Sequence, residues 1–299
     1  VTNDNGKTYL KNVWQTQLKD RIRPNIIGAE IITFIGIDFQ EKIKNFPTIC
    51  QDKTDKNVRE WIANKIIAGK RNENRVLGLK LKNGEFFKLD IDSLKIKEEK
   101  FALSPSIIEN KSIGLIRVNN TLGNQILVKE FERVVPQMDS TTALIIDLRN
   151  TVSGGNTSVA KPIMGMFINE KKPYQLYQDH KKKYLGYIKP NKVNYDKPVY
   201  ILVNRWTGSM GEGIAIGLNT IDRIEVIGTE MSRLAGGMKT VDFKNHNYGF
   251  QVSIEKIFDI YGNPREEFIP KNYIEQTRTD KDEILEYTIE RIKTAGNNG

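Results

Sequence analysis

The stretch from residue 198 to residue 219 constrains the fold of this chain more than any other. Residues 198–203 form a short apolar run rich in β-branched residues, which is typical of a buried strand. A turn of small and polar residues follows at 204–211, and residues 212–219 have the pattern of a helix packed through small residues. Because a buried strand leads directly into a helix, the stretch predicts a layered α/β domain with Ser209 at the strand-to-helix corner.

The same alternation of elements is predicted for most of the chain beyond residue 112. Apolar patterns predict strands at 113–118, 143–150 and 224–228, and helices at 125–135, 157–167 and 281–293. The lysine-rich segment 169–197 is predicted to be a surface flap, and residues 235–237 to be a flexible turn. Alternating strands and helices of this kind indicate sheets covered by helices.

Residues 1–92 are predicted to form a separate, smaller, β-rich domain. We expect strands at 8–14 and at 28–38 with a turn at Gly36, a helix at 57–67, and a hairpin at 76–89 around Asn83 and Gly84. The charged segment 93–112 is assigned to a linker, and residues 113–299 to the second domain.

The first domain resembles the PDZ domains of bacterial proteases. The resemblance rests on the order of its elements and on the run from Gly28 to Asp38, which has the form Gly-x-Glu-Ile-x-x-x-x-Gly-x-Asp. PDZ domains bind extended peptide ends by adding them as a strand to a sheet edge. A PDZ-shaped spacer without a ligand is the alternative.

Composition excludes several classes of protein. With 38% hydrophobic and 28% charged residues, the chain has the composition of a soluble globular protein, and it has no apolar stretch near the ~20 residues of a membrane span. The polar start at 1–6 is not a signal peptide and suggests a mature or trimmed chain. The net charge of +9 comes from scattered lysines without interleaved aromatic residues, so we expect no nucleic acid as a partner.

Histidine and cysteine are scarce. The chain has one cysteine, Cys50, and two isolated histidines, His180 and His246, so no internal disulfide and no metal-ligand set are predicted. We therefore expect no cofactor and no metal. A lone histidine in a polar segment is more often a surface residue than a catalytic one, which applies to both.

Ser209 is the first candidate for chemistry. At a strand-to-helix corner its hydroxyl would lie beside backbone N–H groups and the positive end of a helix dipole, which can stabilise an oxyanion. The alternative is that Ser209 only caps the helix.

Four motifs carry a resemblance to a known family. The motifs at 144–155, 203–212, 226–237 and 279–285 resemble, in this order, those of the S41 serine peptidases, which include the tail-specific processing proteases and the tricorn core protease. The preceding PDZ-like domain fits the domain order of that family. The resemblance implies a ClpP/crotonase-like layered catalytic domain and a periplasmic, cell-envelope or secreted location.

Carried over by position, the resemblance assigns roles to several residues. Ser209 matches the nucleophile, and Glu212 matches the acidic residue of the family's Ser-x-x-Glu, which is not the nucleophile. Gly154 and Gly155 match the glycine pair whose backbone N–H, with that of Met210, would form the oxyanion hole. An ordinary strand-to-helix turn is the alternative for the glycine pair.

The general base is where the sequence departs from the tail-specific branch. That branch uses a lysine 25 positions after the serine, where this chain has Leu234; Lys239 is displaced by five positions. The tricorn-like branch uses a histidine before the PDZ module and a late glutamate, which Glu266 matches, with Glu267 as the alternative. No histidine precedes the PDZ-like domain here, so we expect the base on an upstream segment outside this chain, or no base at all.

The leading hypothesis is a serine endopeptidase that cleaves peptide or protein substrates through an acyl-enzyme on Ser209. The chain by itself could be inactive for want of a base. A catalytically degenerate, peptide-binding S41-like protein is the first alternative. A crotonase-like acyl-CoA enzyme is the second, supported only by the Gly154-Gly155 turn. Substrate preference and oligomeric state stay open.

Overall fold

A computed structural model of the chain describes residues 1–119, 122–244 and 247–296. The chain divides into two compact units, which we call the N-terminal unit (residues 1–98 and 276–283) and the C-terminal unit (residues 99–275 and 284–299). The short segment 276–283 therefore returns to the N-terminal unit, which the sequence did not indicate.

The N-terminal unit is β-rich, as expected. Its elements are β1 Thr2–Asp4, β2 Lys7–Tyr9, β3 Glu30–Phe34, β4 Ile37–Asp38, α1 Phe39–Lys44, α2 Lys56–Ala68, β5 Val76–Lys80 and β6 Phe86–Asp90. The antiparallel strands follow the order β1-β2-β3-β5-β6, with β4 paired to β3. The predicted helix and hairpin are confirmed, and this small β-rich unit is consistent with a PDZ-like domain. The strand predicted at 8–14 is too long, because the chain leaves the sheet after Tyr9.

The C-terminal unit is built on a mainly parallel sheet. Its strands and helices are β7 Leu103–Ile108, β8 Ile113–Val118, α3 Ile126–Val134, β9 Ala143–Asp147, α4 Thr157–Gly165, β12 Val199–Val203, α5 Met210–Leu218, β13 Ile224–Gly228, β16 Asn272–Tyr273 and α6 Glu283–Gly296. The order is β16-β13-β12-β9-β8-β7, parallel except for β7 at the edge. β7 lies inside the segment 93–112 that the sequence assigned to a linker.

Side chains on the two faces of this sheet enter different cores. On one face, residues such as Ile146 and Ile201 pack with α3, α4 and α5; on the other, Ile145 and Leu202 pack with Ile284 of α6 and its neighbours. A parallel sheet is stable only when both faces are covered, which explains why β9 and β12 are apolar along their whole length. The predicted layered α/β architecture is confirmed.

A second sheet corrects two expectations. Its strands are β10 Lys172–Gln178, β11 Lys183–Ile188, β14 Gly236–Asp242 and β15 Gly249–Phe258, in the order β11-β10-β15-β14. The predicted surface flap at 169–197 is wrong for β10, whose Tyr174 and Gln175 are buried against Gly213 and Gly217 of α5. The predicted turn at 235–237 is also wrong, because two of its residues begin β14.

Candidate active site

The turns that follow β9 and β12 are joined by hydrogen bonds. Strands β9, β12 and β13 are parallel neighbours, so their carboxyl ends lie at one edge of the sheet, where open α/β sheets bind ligands. The hydroxyl of Thr207 donates to the carbonyl of Leu148 (3.1 Å). The carbonyl of Thr151 accepts from the N–H groups of Gly154 (2.9 Å) and Gly208 (3.3 Å). The structure thus brings the glycine turn and the serine turn together.

Ser209 has a strained backbone. It is the residue before the first turn of α5, with φ +50° and ψ −105°. Positive φ is uncommon outside glycine, and such strain persists only where surrounding contacts over-determine it. Ser209 is half-buried, at the strand-to-helix corner that the sequence predicted.

Gly154 lies directly against Ser209. Its φ is +60°, and a Cβ at this position would be 2.5 Å from Cβ of Ser209 and 3.1 Å from its Oγ. A Cβ on Gly155 would be 2.1 Å from the carbonyl carbon of Leu122. Both positions therefore require glycine on steric grounds, and the predicted glycine pair lies beside the predicted nucleophile.

The backbone N–H groups of the predicted oxyanion hole differ in their availability. The Gly154 N–H is already donated to the carbonyl of Thr151. Within the described ranges 1–119, 122–244 and 247–296, we find no acceptor for the N–H of Gly155 or of Met210. An N–H of the glycine turn and one at the start of α5 are therefore not used by an acceptor among the described residues.

Glu212 connects the serine turn to a third segment. Its side chain has no solvent exposure; Oε2 accepts from the Ser209 N–H (2.7 Å), and Oε1 accepts from the N–H groups of Arg233 (2.9 Å) and Leu234 (3.2 Å). Burial raises the pKa of Glu212, while the attraction of Arg265 and these N–H groups oppose the rise. Leu234, at the position where the resemblance predicts a lysine for the tail-specific branch, thus contributes its backbone to the candidate site.

Arg265 was missed by the sequence reasoning. It is 3% exposed, and its Nε donates to the carbonyl of Leu234 (2.7 Å). Burial lowers the pKa of Arg265, and Glu212 opposes this. An arginine in a polar run beside two glutamates carries no sequence signal that separates it from a surface residue.

The two late glutamates have different environments. Glu267 is exposed, whereas the side chain of Glu266 is 22% exposed and its Oε1 lies 3.2 Å from Nζ of Lys256. The backbone carbonyl of Glu266 accepts from Nε of Arg233 (2.8 Å), which joins it to the loop bound by Glu212. Its Oε2 is buried and has no partner among the residues that the structure describes.

A second group of buried charged side chains lies at the end of β9, where the chain leaves the sheet for the glycine turn. Asp147 ends β9, and its carboxylate accepts from Arg149 (2.9 Å from both Nε and Nη2) and from Nε of Arg117 (2.8 Å). Burial would raise the pKa of Asp147, but the two arginines hold it well below its usual range. The cluster fixes the chain where it leaves the sheet towards Gly154.

The candidate bases inside the chain are not brought to Ser209 by any hydrogen bond that we find between described residues. Lys239 is exposed on β14. His180 is exposed and lines a cavity of about 390 Å³ together with Gly236 and Lys256. His246 lies outside the described residues.

Over the described ranges, we find no group of three or more histidine, cysteine or acidic residues able to hold a metal ion. Among the helices formed by those residues, none combines the length and apolarity that crossing a bilayer requires.

Structural comparison finds the same fold in several solved structures. Mature CPAF is 12% identical over 98% of this chain and 79% of its own (TM-score 0.61). The photosystem II D1 C-terminal processing protease is 15% identical over 84% of this chain and 64% of its own (TM-score 0.55), so the chain spans less than two thirds of that protein. A lipoprotein from Streptococcus agalactiae is 16% identical over 65% of this chain and 70% of its own (TM-score 0.51). At such identities the likeness shows a shared fold.

Sequence comparison identifies the family. No curated protein matches the chain. The sequence pattern of Peptidase family S41 matches residues 112–294, which is more than half of the chain and contains both turns described above. The chain belongs to peptidase family S41.

Proposed function

We propose that this chain carries the nucleophile and oxyanion hole of a serine endopeptidase. The observation that supports this most is the pairing of Ser209, held at φ +50° before α5, with Gly154 packed against its side chain. A hydroxyl presented at such a strained corner is accessible to a substrate carbonyl. The substrate class is a peptide or protein, as the family implies.

The reaction follows from the atoms around Ser209. Its Oγ attacks the carbonyl carbon of the scissile bond while a base takes the hydroxyl proton. The N–H groups of Met210 and Gly155 hold the resulting oxyanion, and preorganised donors of this kind contribute about 3–4 kcal/mol each. The tetrahedral intermediate then releases the amine, which takes the proton, and water hydrolyses the acyl-enzyme.

We propose that the base is a histidine from outside the 299 residues and that Glu266 orients it. The support is the buried Oε2 of Glu266, because an acceptor left without a donor costs about 1–3 kcal/mol. An imidazole N–H would satisfy that oxygen and would leave the other ring nitrogen to accept the Ser209 proton. By family analogy, the protein acts in the periplasm, in the cell envelope or after secretion.

The test is intact-mass analysis after exposure to a fluorophosphonate, which phosphonylates an activated serine. The chain and the complete translation product of its gene are compared, with Ser209→Ala as the negative control. Ser106→Ala, on the exposed edge strand β7, is the matched serine control and should keep the label.

Each outcome has a meaning. Labelling of the complete product alone, lost in Ser209→Ala, supports the proposal including its outside base. Labelling of both proteins refutes the outside base and makes His180, His246 and Lys239 the next residues to change. Labelling of neither rejects the peptidase proposal in favour of a degenerate peptide-binding protein.

A further inference from the structure

We propose that Arg265 is a positioning residue for the nucleophile turn: it compensates the buried charge of Glu212 and clamps the loop that Glu212 binds. The proposal rests on the proposed function of Ser209.

The first step concerns charge. Glu212 has no solvent exposure, and a buried carboxylate is costly unless it is paired. Burial raises the pKa of Glu212, and the attraction of Arg265 opposes this rise together with the N–H groups of Ser209, Leu234 and Arg233. Arg265 itself is 3% exposed, so water does not screen this attraction strongly.

The second step concerns the clamp. The Arg265 guanidinium donates from Nε to the carbonyl of Leu234 (2.7 Å) and from Nη2 to that of Gly236 (3.4 Å). In the opposite direction, Nε of Arg233 donates to the carbonyl of Glu266 (2.8 Å). Two arginines thus cross-link the 233–236 loop and the 265–266 segment, and Glu212 joins that pair to Ser209.

The third step concerns the other ionisable groups near Arg265. The other ionisable groups that face Arg265 are Tyr174, Tyr177 and Glu266. Burial raises the pKa values of both tyrosines, so their hydroxyls stay neutral where enzymes are assayed. Nζ of Lys256 pairs with Oε1 of Glu266 at 3.2 Å.

The consequence is a defined pH response. Without Arg265, Glu212 takes up a proton at higher pH than in the wild type, because its charged form has lost the attraction of the guanidinium. A protonated carboxyl accepts the three N–H groups less strongly. Ser209 then loses the contact that holds its strained backbone, and its reactivity falls as the pH drops through the raised midpoint.

The experiment compares Arg265→Gln, which removes the charge, with Arg265→Lys, which keeps it. The matched control is Arg223→Met, because Arg223 also donates to backbone carbonyls, those of Lys197, Phe167 and Tyr195, beside the amino end of β13. The first readout is the amide resonances of Ser209 and Leu234 against pH by NMR, which does not depend on activity. The second is the rate of fluorophosphonate labelling of the complete translation product.

In Arg265→Gln, we expect the pH midpoint of the change in the Ser209 and Leu234 amide resonances to move to higher pH. We expect fluorophosphonate labelling at neutral pH to slow by about ten- to a hundredfold. Arg265→Lys should keep the midpoint and label slowly, since one ammonium cannot span both carbonyls. Arg223→Met should lower the melting temperature without moving the midpoint. In a Glu212→Gln background, Arg265→Gln should cost far less than alone.

Two results would overturn the proposal. One is a folded Arg265→Gln variant whose amide resonances change with pH at the wild-type midpoint. The other is a double variant whose loss of labelling rate equals the product of the two single losses. If Arg265→Gln does not fold, Arg265→Lys provides the test. The role proposed for Arg265 is overturned if Arg265→Lys is also unfolded, or if the pH midpoint of its amide resonances differs from that of the wild type. Wild-type protein that titrates as described but takes no label would refute the function proposed for Ser209 and leave the role of Arg265 supported.

Discussion

Substitution of Gly154 by alanine tests the geometry of the candidate active site most directly. The new Cβ would lie 2.5 Å from Cβ of Ser209, whereas carbon atoms in favourable contact are about 3.5–4.0 Å apart. The two turns must therefore separate by about 1 Å. A displacement of that size at a reacting group costs about 100-fold in rate.

The stability cost has two parts. Alanine at φ +60° costs about 1–2 kcal/mol. Overpacking against the neighbouring turn adds about 1–3 kcal/mol. Since 1 kcal/mol lowers the melting temperature of a domain of this size by about 2–4 °C, we expect a loss of about 4–20 °C.

The assay pairs thermal unfolding with the rate of fluorophosphonate labelling of the complete translation product. Gly84→Ala is the matched control, because Gly84 also has positive φ (+89°) but has no atom within 4 Å of the added Cβ. The control should lose stability through strain alone and keep the wild-type labelling rate. Wild-type labelling of folded Gly154→Ala would refute the contact between the glycine and serine turns.

Two further predictions concern charged residues of the same unit. Glu266→Gln should slow labelling by about 100-fold or more, whereas exposed Glu267→Gln should stay near the wild-type rate; equal losses would remove the assignment of Glu266. Asp147→Asn should cost about 3–5 kcal/mol at neutral pH, because it leaves buried Arg149 without its counter-charge. The pKa of Asp147 is lowered in the folded state, so its stabilisation is present above the unfolded value and is lost as pH falls through the folded value; chemical denaturation from pH 7 to pH 2 should show the difference from Asp147→Asn shrinking.

The sequence predicted the layers of the C-terminal unit because burial on both faces leaves a pattern. Strands β8 and β13 begin and end at the predicted residues, since a parallel strand covered on both sides must be apolar along its length. The 169–197 segment shows the opposite case. Its lysines suggested a surface flap, yet Tyr174 and Gln175 are buried, because glycines of α5 make room for β10. Such a pairing depends on two distant segments and leaves no local pattern.

The residues of the candidate site also fall into those that the sequence could predict and those that it could not. Ser209, Gly154 and Gly155 could be predicted as candidates because a strand-to-helix corner and a close backbone approach restrict which residue types can occur there. Arg265 and the 233–234 loop were missed. The loop contributes backbone N–H and C=O groups, which every non-proline residue carries, so its role leaves no constraint on the side chain at Leu234, and the contacts that Arg265 makes to it leave no sequence signal there.

This use of the backbone bears on how the chain departs from the tail-specific branch. Position 234 has a leucine where the tail-specific branch is expected to have its lysine, and its N–H binds Glu212 while its carbonyl binds Arg265. The framework that holds Ser209 in its strained conformation is therefore separate from the group that would take its proton. Because the two are separate, the identity of the base can change while the nucleophile turn stays the same, which makes a base from another segment compatible with an intact serine site.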